Sequence, residues 1–312
     1  MTVRNVVVVV ACGIAALLPA AAAATAATND GAALARPAPL PAWKAAVLGL
    51  VEGVTEYLPI SSTGHLHVTE RLLDVGTTPA TEDAADTYAI TIQAGAIAAV
   101  LVLYRRRIID LGRGLAGRSA AGRRVLVALV VAFLPAAATG LLFEQAIKDH
   151  LLAVGPIVGA WIAGALAIWV VVPRVHRGGG IELDEIGVRA AVLVGAVQVL
   201  ALWPGTSRSL VTIVGALAVG LSLRAAVEFS FLLGLVTLGA ATVYDGAKNG
   251  GELVDTFGLA TPLLGLFVAF ASAVIAVRWM VGYLERRDLR VFALYRVAIA
   301  IATLVLLAAG AL

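Results

Sequence analysis

The stretch "EGVTEYLPISSTGH", residues 52–65, concentrates polar groups in a chain of which 61% is hydrophobic. It holds two carboxylates, five hydroxyl groups, a histidine, a proline and two glycines. The polar run follows an apolar helix predicted over residues 43–58, which Pro59 interrupts. A short apolar helix that breaks and then turns polar predicts a re-entrant hairpin, which enters the membrane and returns to the same side.

The rest of the chain has the composition of a polytopic helical membrane protein. Its mean hydropathy is +0.96 and only 14% of its 312 residues are charged, so one soluble core could not bury its apolar surface. Six apolar segments are long enough to cross ~30 Å of hydrocarbon as helices. They are residues 86–104, 124–144, 154–172, 224–244, 260–280 and 291–311. A second broken segment, residues 190–203, ends at Pro204-Gly205 and is too short to cross.

The distribution of charge predicts how these segments are arranged. By the positive-inside rule, three arginine-containing segments are cytoplasmic, namely residues 105–124, 173–189 and 278–290. Residues 245–259 hold one lysine and three acidic residues and are predicted to form an external loop. If residue 30 is outside, these loops lie on their predicted sides only when both broken segments are re-entrant. The first then enters from outside and the second from the cytoplasm.

The predicted fold is therefore all-α and polytopic, with six transmembrane helices and two re-entrant broken-helix hairpins. The arrangement is a 3+3 inverted-topology repeat, whose halves are about residues 43–172 and 186–311, and whose hairpins meet near the middle of the membrane.

The N-terminal part of the chain is predicted to lie outside this membrane domain. A basic start at Arg4, an apolar run and an alanine-rich tract indicate a signal peptide or an uncleaved signal anchor over residues 1–28. Residues 29–42 would be an extracytoplasmic linker, and residues 43–312 a single membrane-embedded catalytic domain. The only cysteine, Cys12, excludes an intramolecular disulfide and a cysteine-based metal site. The arginine clusters lie between apolar spans without a basic domain, which predicts no nucleic-acid partner.

Two carboxylates of the first hairpin are placed to act together. Glu52 and Glu56 are four residues apart, so they lie on one face of the predicted helix. Paired carboxylates in a membrane need a partner, and they suit a hard divalent cation such as Mg²⁺ or Ca²⁺, or a nearby arginine. The alternative is that one of them is protonated or turns to the membrane interface. Both acids adjoin the broken polar segment, which favours a partnered pair.

The polar run after Pro59 is predicted to start a new helix. Ser61, Ser62 and Thr63 would place hydroxyls and free backbone N–H groups at its positive end, which is typical of an anion site. Ser61 and Thr63 are therefore predicted to bind the substrate. His65 titrates near neutrality and can serve as acid or base. A lone histidine is more often a hydrogen-bonded interfacial residue, but the neighbouring hydroxyls and acids favour a role in the site.

The second hairpin, "WPGTSRSLVT" at residues 203–212, repeats this order of features. A proline and a glycine break the helix, and hydroxyl residues follow that can cap the next one. Arg208 lies among them, and an arginine can bind phosphate through two parallel hydrogen bonds. Its alternative role is an ion pair with Glu52, Glu56 or Glu228, and the two roles are compatible. The residues of this hairpin predicted to bind the substrate are Gly205, Thr206, Ser207, Ser209 and Thr212.

Together the hairpins predict an intramembrane pocket for a metal-bound phosphate, which a lipid can reach between the helices. The stretches "EGVTEYLPISSTGH" and "PGTSRSLVT" resemble the two motifs of the undecaprenyl-diphosphate phosphatase family, the bacitracin-resistance proteins, and the resemblance extends over residues 43–312. It implies hydrolysis of undecaprenyl diphosphate to undecaprenyl phosphate, which recycles the lipid carrier of bacterial cell-wall synthesis. It also implies a multi-pass protein of the bacterial plasma membrane, a divalent cation as cofactor, and a site open to the extracytoplasmic side.

The resemblance implies roles for the residues at matching positions. These positions are Glu52, Glu56, Ser62, Thr63, His65, Ser207 and Arg208. Glu52 and Glu56 would ligate or activate the metal, and Arg208 would hold the phosphate. Ser62 is the candidate nucleophile, with Glu56 or His65 moving the proton. A metal-activated water is an alternative nucleophile that the sequence does not separate from Ser62.

Two other classes of function fit parts of the same pattern. An inverted repeat with broken hairpins is also transporter architecture, so a carrier or flippase for a phosphorylated polyprenyl lipid would use the same anion site. A pure anion carrier gains little from two extra negative charges, which disfavours that alternative. A non-catalytic structural membrane protein would predict that Glu52→Gln and Arg208→Ala change only stability. The expected partners are the polyprenyl diphosphate and membrane lipids, and the sequence leaves the oligomeric state open, with a homodimer as one option.

Overall fold

The computed structural model describes residues 40–78, 81–172 and 179–312, apart from a few side chains within its helices. The predicted signal segment and all but the last three residues of the predicted linker lie outside the described residues. Helices account for about four-fifths of the described residues. They are α1 (Ala42–Thr55), α2 (Ser62–Leu72), α3 (Glu82–Leu103), α4 (Arg105–Leu115), α5 (Ala120–Leu151), α6 (Val154–Val171), α7 (Val188–Gln198), α8 (Arg208–Ala218), α9 (Leu223–Phe257), α10 (Ala260–Leu284) and α11 (Arg290–Ala308). Short 3₁₀ turns, Leu183–Glu185 and Val199–Leu202, precede and extend α7.

The six predicted transmembrane spans are confirmed. Helices α3, α5, α6, α9, α10 and α11 are long and apolar enough to cross a membrane. Their spans cover residues 85–103, 120–143, 154–171, 223–247, 260–284 and 290–308, within four residues of the sequence-based ranges at every boundary. Hydropathy locates such segments well, since an unbroken apolar helix of this length has few other stable environments. Helices α1, α2, α7 and α8 have 14, 11, 11 and 11 residues and are too short to cross.

One sequence-based prediction is wrong, because residues 245–259 do not form an irregular loop. Helix α9 continues through this segment to Phe257, and only Gly258 and Leu259 separate it from α10. The segment has no proline, and a helix tolerates each glycine at about 1 kcal/mol relative to alanine. Gly258 ends the helix with φ +70°, a left-handed conformation that glycine adopts without steric strain.

The arginine-rich segment at residues 105–124 contains α4, which lies against α5. Arg107 joins α4 to two other elements, since its Nε donates to Glu228 Oε1 at 2.7 Å and its Nη1 donates to Asp184 Oδ1 at 2.6 Å. Partial burial opposes the charge of Arg107, but the hydrogen bonds and charges of both carboxylates raise its pKa above the ordinary value. Glu228, which the sequence offered as a partner of Arg208, is therefore engaged by Arg107.

The turns of the two broken segments have matching backbone conformations. The second arm of each hairpin follows a serine with positive φ, Ser61 and Ser207, both at +75°. The Oγ of each serine accepts a hydrogen bond from the backbone N–H three residues later, at Gly64 (3.4 Å) and Leu210 (3.2 Å). A non-glycine residue in this region costs about 1–3 kcal/mol, so contacts around both turns must hold them in place.

Both hairpins are packed among the long helices through close contacts of glycines. Helix α1 lies against α10, and α7 lies against α5. A Cβ on Gly49 would be 2.4 Å from the carbonyl oxygen of Gly265, and a Cβ on Gly195 would be 2.6 Å from that of Ala132. Small residues allow this approach of backbones and exclude lipid from between them. The turns consequently lie inside the protein, where irregular backbone is tolerated at membrane depth.

Candidate active site

The turn of the first hairpin brings a carboxylate and a hydroxyl together. Glu56 directly follows α1 and Ser62 begins α2, so the break at Pro59 folds one towards the other. Ser62 Oγ donates a hydrogen bond to Glu56 Oε2, and both side chains are buried. A buried carboxylate that accepts from a hydroxyl is placed to take its proton. The pair therefore has the geometry of a nucleophile and its base.

Arg208 begins α8 and reaches the same carboxylate from the second hairpin. Its Nη2 donates to Glu56 Oε1 at 3.2 Å, and its Nη1 donates to the carbonyl oxygen of Ser230 at 3.0 Å. The guanidinium carbon is 5.4 Å from the centroid of the Tyr57 ring, and a Cβ on Gly234 would be 2.7 Å from it. Within the described part of the chain, Nε of Arg208 has no hydrogen-bond partner. Arg208 thus keeps a donor for an anion beside a carboxylate.

Hydroxyl groups of the second hairpin fasten it to the first. Ser209 Oγ donates to the carbonyl oxygen of Leu58 at 2.8 Å, and it lies 3.0 Å from Ser207 Oγ. Ser207 Oγ also donates to the Leu58 carbonyl at 3.4 Å. Leu58 immediately precedes the break at Pro59, where helical carbonyls lose their usual partners. The two hairpins therefore meet turn to turn.

A cavity of about 170 Å³ lies where the hairpins meet. Two glutamines, Gln93 of α3 and Gln198 of α7, contribute to its wall beside Trp203 and Thr237. The predicted site residues that line the cavity are Glu56, Ser61, Ser62, Thr63, Gly205, Ser207 and Arg208. The structure places the others outside this lining, namely Glu52, His65, Thr206, Ser209 and Thr212. The cavity therefore combines apolar side chains with carboxylate, hydroxyl, amide and guanidinium groups, and these polar groups are suited to a phosphate.

Two of the residues outside the lining hold the second hairpin in shape. Thr212 Oγ1 donates to the carbonyl oxygen of Arg208 at 2.8 Å and lies 2.7 Å from Ser230 Oγ. The backbone N–H of Thr206 donates to the carbonyl oxygen of Trp203 at 3.0 Å. Thr212 thus supports the backbone of Arg208 through a pair of buried hydroxyls.

Glu52 lies one helical turn before Glu56 and has different surroundings. It is 1% exposed, and neither carboxylate oxygen has a hydrogen-bond partner among the described residues. A buried carboxylate without a partner is costly, so Glu52 is suited to accept a cation. Among the side chains that the structure describes, no group of three or more His, Cys, Asp or Glu could hold a metal. A cation here would have two carboxylates at most, as Mg²⁺ does in sites completed by water and substrate phosphates.

His65 has both ring nitrogens engaged. Nδ1 donates to the carbonyl oxygen of Ser61 at 2.5 Å, since a carbonyl only accepts, and Nε2 then accepts from the Tyr295 hydroxyl at 2.8 Å. The rings of His65 and Tyr295 stack with centroids 5.6 Å apart. This geometry favours a role in holding the Ser61 turn over direct proton transfer to Ser62.

Four residues that shape the site were not singled out from the sequence. They are Ser230, Gly234, Tyr295 and Arg296. A serine, a glycine and a tyrosine within apolar helices give no signal that separates a site from ordinary packing. Arg296 did carry such a signal, because a charged residue inside an apolar span indicates a functional role by default.

Comparison with known proteins shows relatives along most of the chain. Residues 45–302, which include the turns of both hairpins, match the family model described as Bacitracin resistance protein BacA. The chain is 46% identical over 262 residues to Undecaprenyl-diphosphatase 2 of Rhodospirillum rubrum, covering 84% of this chain and 93% of that protein. It is 44% identical to Undecaprenyl-diphosphatase of Sorangium cellulosum, covering 82% and 83% respectively. It is 43% identical to Undecaprenyl-diphosphatase of Methylococcus capsulatus, covering 85% and 95%.

Proposed function

The chain belongs to the BacA family of bacitracin resistance proteins, and we propose that it hydrolyses undecaprenyl diphosphate to undecaprenyl phosphate and inorganic phosphate. This activity recycles the lipid carrier of cell-wall synthesis and confers resistance to bacitracin. The observation that carries the proposal is the meeting of Ser62, Glu56 and Arg208, from two hairpins, at one buried cavity.

Arg208 is the proposed ligand of the terminal phosphate. Its guanidinium already neutralises Glu56 at 3.2 Å, and its Nε supplies a further N–H towards an incoming anion. Phosphoryl transfer needs little covalent help, so fixed positive charge around the transferring group is the main contribution of the protein. The hydroxyls of Ser61, Thr63 and Ser207 line the same cavity and would orient the remaining phosphate oxygens.

Ser62 is the proposed nucleophile. Its Oγ forms a bond to the terminal phosphorus and gives its proton to Glu56 Oε2, while the bridging P–O bond breaks and undecaprenyl phosphate leaves with that electron pair. Water then attacks the phosphorus of the phosphoserine, and the P–Oγ bond breaks with its electron pair going to Ser62 Oγ. Glu56 returns to Oγ the proton that it took in the first step, and inorganic phosphate departs with both protons of the water. In the alternative, water itself attacks and Glu56 takes its proton. Trapping of phosphate on Ser62 supports the first route, and inversion of configuration at phosphorus supports the second.

Glu52 and Glu56 would hold the divalent cation, Mg²⁺ or Ca²⁺. The buried carboxylate of Glu52 is the observation in favour, because neither of its oxygens has a hydrogen-bond partner among the described residues. When bound, the cation would offset the charge of the diphosphate. Glu56 already accepts hydrogen bonds from Ser62 and Arg208, so Glu52 is expected to be the main ligand of the cation.

The helix contacts support the inverted-topology repeat as part of the proposal. Helix α1 of the first hairpin lies against α10, the second span of the second half, and α7 of the second hairpin lies against α5, the second span of the first half. Such an exchange is expected when two halves are related by a pseudo-two-fold axis in the membrane plane. The matching turns at Ser61 and Ser207 agree with this relation.

We further propose that the cavity is reached from the extracytoplasmic side. Gln93 of its lining is twelve residues before Arg105, and Thr237 is thirteen residues after Arg224, which correspond to about 18–20 Å of helix. The arginine-rich ends are cytoplasmic by the positive-inside rule, and the hydrocarbon core is ~30 Å thick. The cavity therefore lies closer to the outer surface than to the cytoplasmic one.

Phosphate release from undecaprenyl diphosphate by the purified full-length protein in detergent tests this function. The assay is run with and without EDTA, beside Glu56→Gln, Arg208→Ala and the control Arg118→Ala, which changes an exposed arginine. We expect release that EDTA abolishes, that falls about 100-fold or more in both site variants, and that is unchanged in the control.

Two outcomes would change the proposal. If folded wild-type protein binds the lipid but releases no phosphate, the hydrolase is wrong and a flip assay in liposomes becomes the test of a carrier. If EDTA leaves release unchanged, the hydrolase stands and the metal assignment to Glu52 and Glu56 is withdrawn.

A further inference from the structure

Arg296 of α11 is a fully buried arginine for which the proposed chemistry has no role. Its side chain is 0% exposed, and it lies on the buried stripe of α11 that includes Phe292, Ala300 and Thr303. Among the side chains that the structure describes, no carboxylate forms a salt bridge with it. A buried charge without a counter-charge is expensive, so what its N–H groups bind indicates its role.

Four backbone carbonyl oxygens accept hydrogen bonds from this guanidinium. Two belong to α6, where Nε donates to Trp161 at 3.0 Å and Nη2 donates to Ala160 at 2.8 Å. The other two belong to the hairpin turns, where Nη2 donates to Gly205 at 3.0 Å and Nη1 donates to Pro59 at 3.4 Å. Pro59 and Gly205 mark the breaks of the first and second hairpin. One planar cation therefore ties both turns to each other and to α6.

Arginine is suited to this position by its shape as well as its charge. Its five N–H groups diverge in one fixed plane, whereas lysine carries three on a single nitrogen. The guanidinium also occupies space left by a glycine, because a Cβ on Gly164 of α6 would be 2.3 Å from Arg296 Nη2. Lysine would keep the charge but could not reach carbonyls of three separate elements at once.

We propose that Arg296 is a positioning residue of the hydrolase, which sets the distance between the two hairpin turns. Pro59 is three residues from both Glu56 and Ser62, and Gly205 is three residues from Arg208. The Arg208–Glu56 contact of 3.2 Å is at the upper end of hydrogen-bond lengths, so a small relative shift of the turns would break it. Loss of the tie would then separate the phosphate-binding arginine from the nucleophile and its base. The expected effect on rate rests on the proposed function, whereas the hydrogen bonds by which Arg296 joins the two turns do not depend on it.

Kinetics of three variants test the effect on rate. Arg296→Lys keeps the charge, and Gly164→Ala displaces the guanidinium without removing it. Gly159→Ala is a matched control in α6, because no atom of the described residues lies within 4 Å of the added Cβ. We expect kcat per folded protein to fall about 100-fold in the first two, because misplacement of reacting groups by ~1 Å has effects of that size. KM should change little, so that kcat and kcat/KM fall together, and the control should match wild type.

Hydrogen exchange of backbone amides gives a readout that does not depend on activity. In Arg296→Lys and Gly164→Ala, the turns at residues 57–63 and 203–209 should exchange faster together, while α10 stays protected. If wild type releases no phosphate but both turns respond in this way, the proposed function fails and the tie is supported. Full activity of Gly164→Ala, or faster exchange in only one turn or throughout the protein, would overturn the positioning role. If Arg296→Lys does not fold, the activity and hydrogen exchange of Gly164→Ala decide between these outcomes.

Discussion

Arg208 shows how a single side chain in this site depends on geometry as well as charge. Its guanidinium uses separate nitrogens for Glu56 Oε1 and for the carbonyl oxygen of Ser230, and it faces the ring of Tyr57. A lysine ammonium is a point charge that cannot reproduce this planar set of contacts. The position therefore requires the planar guanidinium of arginine, which a cation of another shape does not replace.

Arg208→Lys is consequently expected to lower kcat/KM about 100-fold although the net charge is unchanged, since removal of a positioned donor has effects of this order. Phosphate release from undecaprenyl diphosphate measures it. Arg118→Lys, at an exposed position, is the matched control and should keep wild-type activity. Activity of Arg208→Lys within about twofold of wild type would show that charge alone suffices.

Glu52 differs from Glu56 in having no hydrogen-bond partner among the described residues, and this difference predicts which carboxylate binds the cation. A ligand that binds only the folded state stabilises it, by about 2.7 kcal/mol at a concentration 100 times its Kd. Mg²⁺ or Ca²⁺ should therefore raise the thermal unfolding temperature of the wild-type protein in detergent, and should not raise that of Glu52→Gln. Glu185→Gln, which changes an exposed acid outside both hairpins, is the comparison variant and should keep the wild-type shift. An equal shift in wild type and Glu52→Gln would place the cation elsewhere.

At the scale of helices, the positions of the spans were predictable and their contacts were not. The apolar segments were located within four residues, because hydropathy reports directly on the membrane environment. The continuation of α9 to Phe257 was missed because its glycines and acids resemble a loop, while helix propensity permits them at small cost. The motif residues were identified, but Gly234 was missed because its role depends on a residue distant in the sequence. Arg296 was missed although its charge within an apolar span was a signal, and only the structure shows which carbonyls it binds.

Helix α9 supplies a testable contact of this kind at Gly234. A Cβ there would lie 2.7 Å from the guanidinium of Arg208, whereas a Cβ on Gly239 of the same helix would meet no atom of the described part of the chain within 4 Å. Gly234→Ala should push Arg208 away from Glu56 and lower kcat at least about tenfold, because the reacting groups lose their alignment. Gly239→Ala should leave kcat unchanged. Both variants should unfold at temperatures close to that of wild type. Equal activity of the two variants would contradict the prediction, because it would mean that Arg208 can make room for the Cβ without losing its alignment with Glu56.

At the scale of the whole molecule, the proposed inverted repeat predicts which connections lie on the same side of the membrane. Four spans, α3, α5, α6 and α9, separate Thr77 from Leu259 if the α7–α8 hairpin returns to the side from which it enters. An even number of crossings places these two residues on one side, whereas a hairpin that crossed would add a fifth and place them on opposite sides. Four spans, α5, α6, α9 and α10, likewise separate Ala116 from Arg287, so these two residues of the arginine-rich connections also lie on one side.

Single cysteines introduced by Thr77→Cys, Ala116→Cys, Leu259→Cys and Arg287→Cys in a Cys12→Ser chain test this arrangement. All four positions are exposed. A membrane-impermeant maleimide should label the first and third variants in intact spheroplasts, and the second and fourth only after the membrane is opened. Labelling of Thr77→Cys and Leu259→Cys from opposite sides would mean that a hairpin crosses the membrane, which would remove the pseudo-two-fold relation. Labelling of both from the cytoplasmic side alone would keep that relation but turn the cavity towards the cytoplasm, where it could not meet a diphosphate exposed on the outer surface.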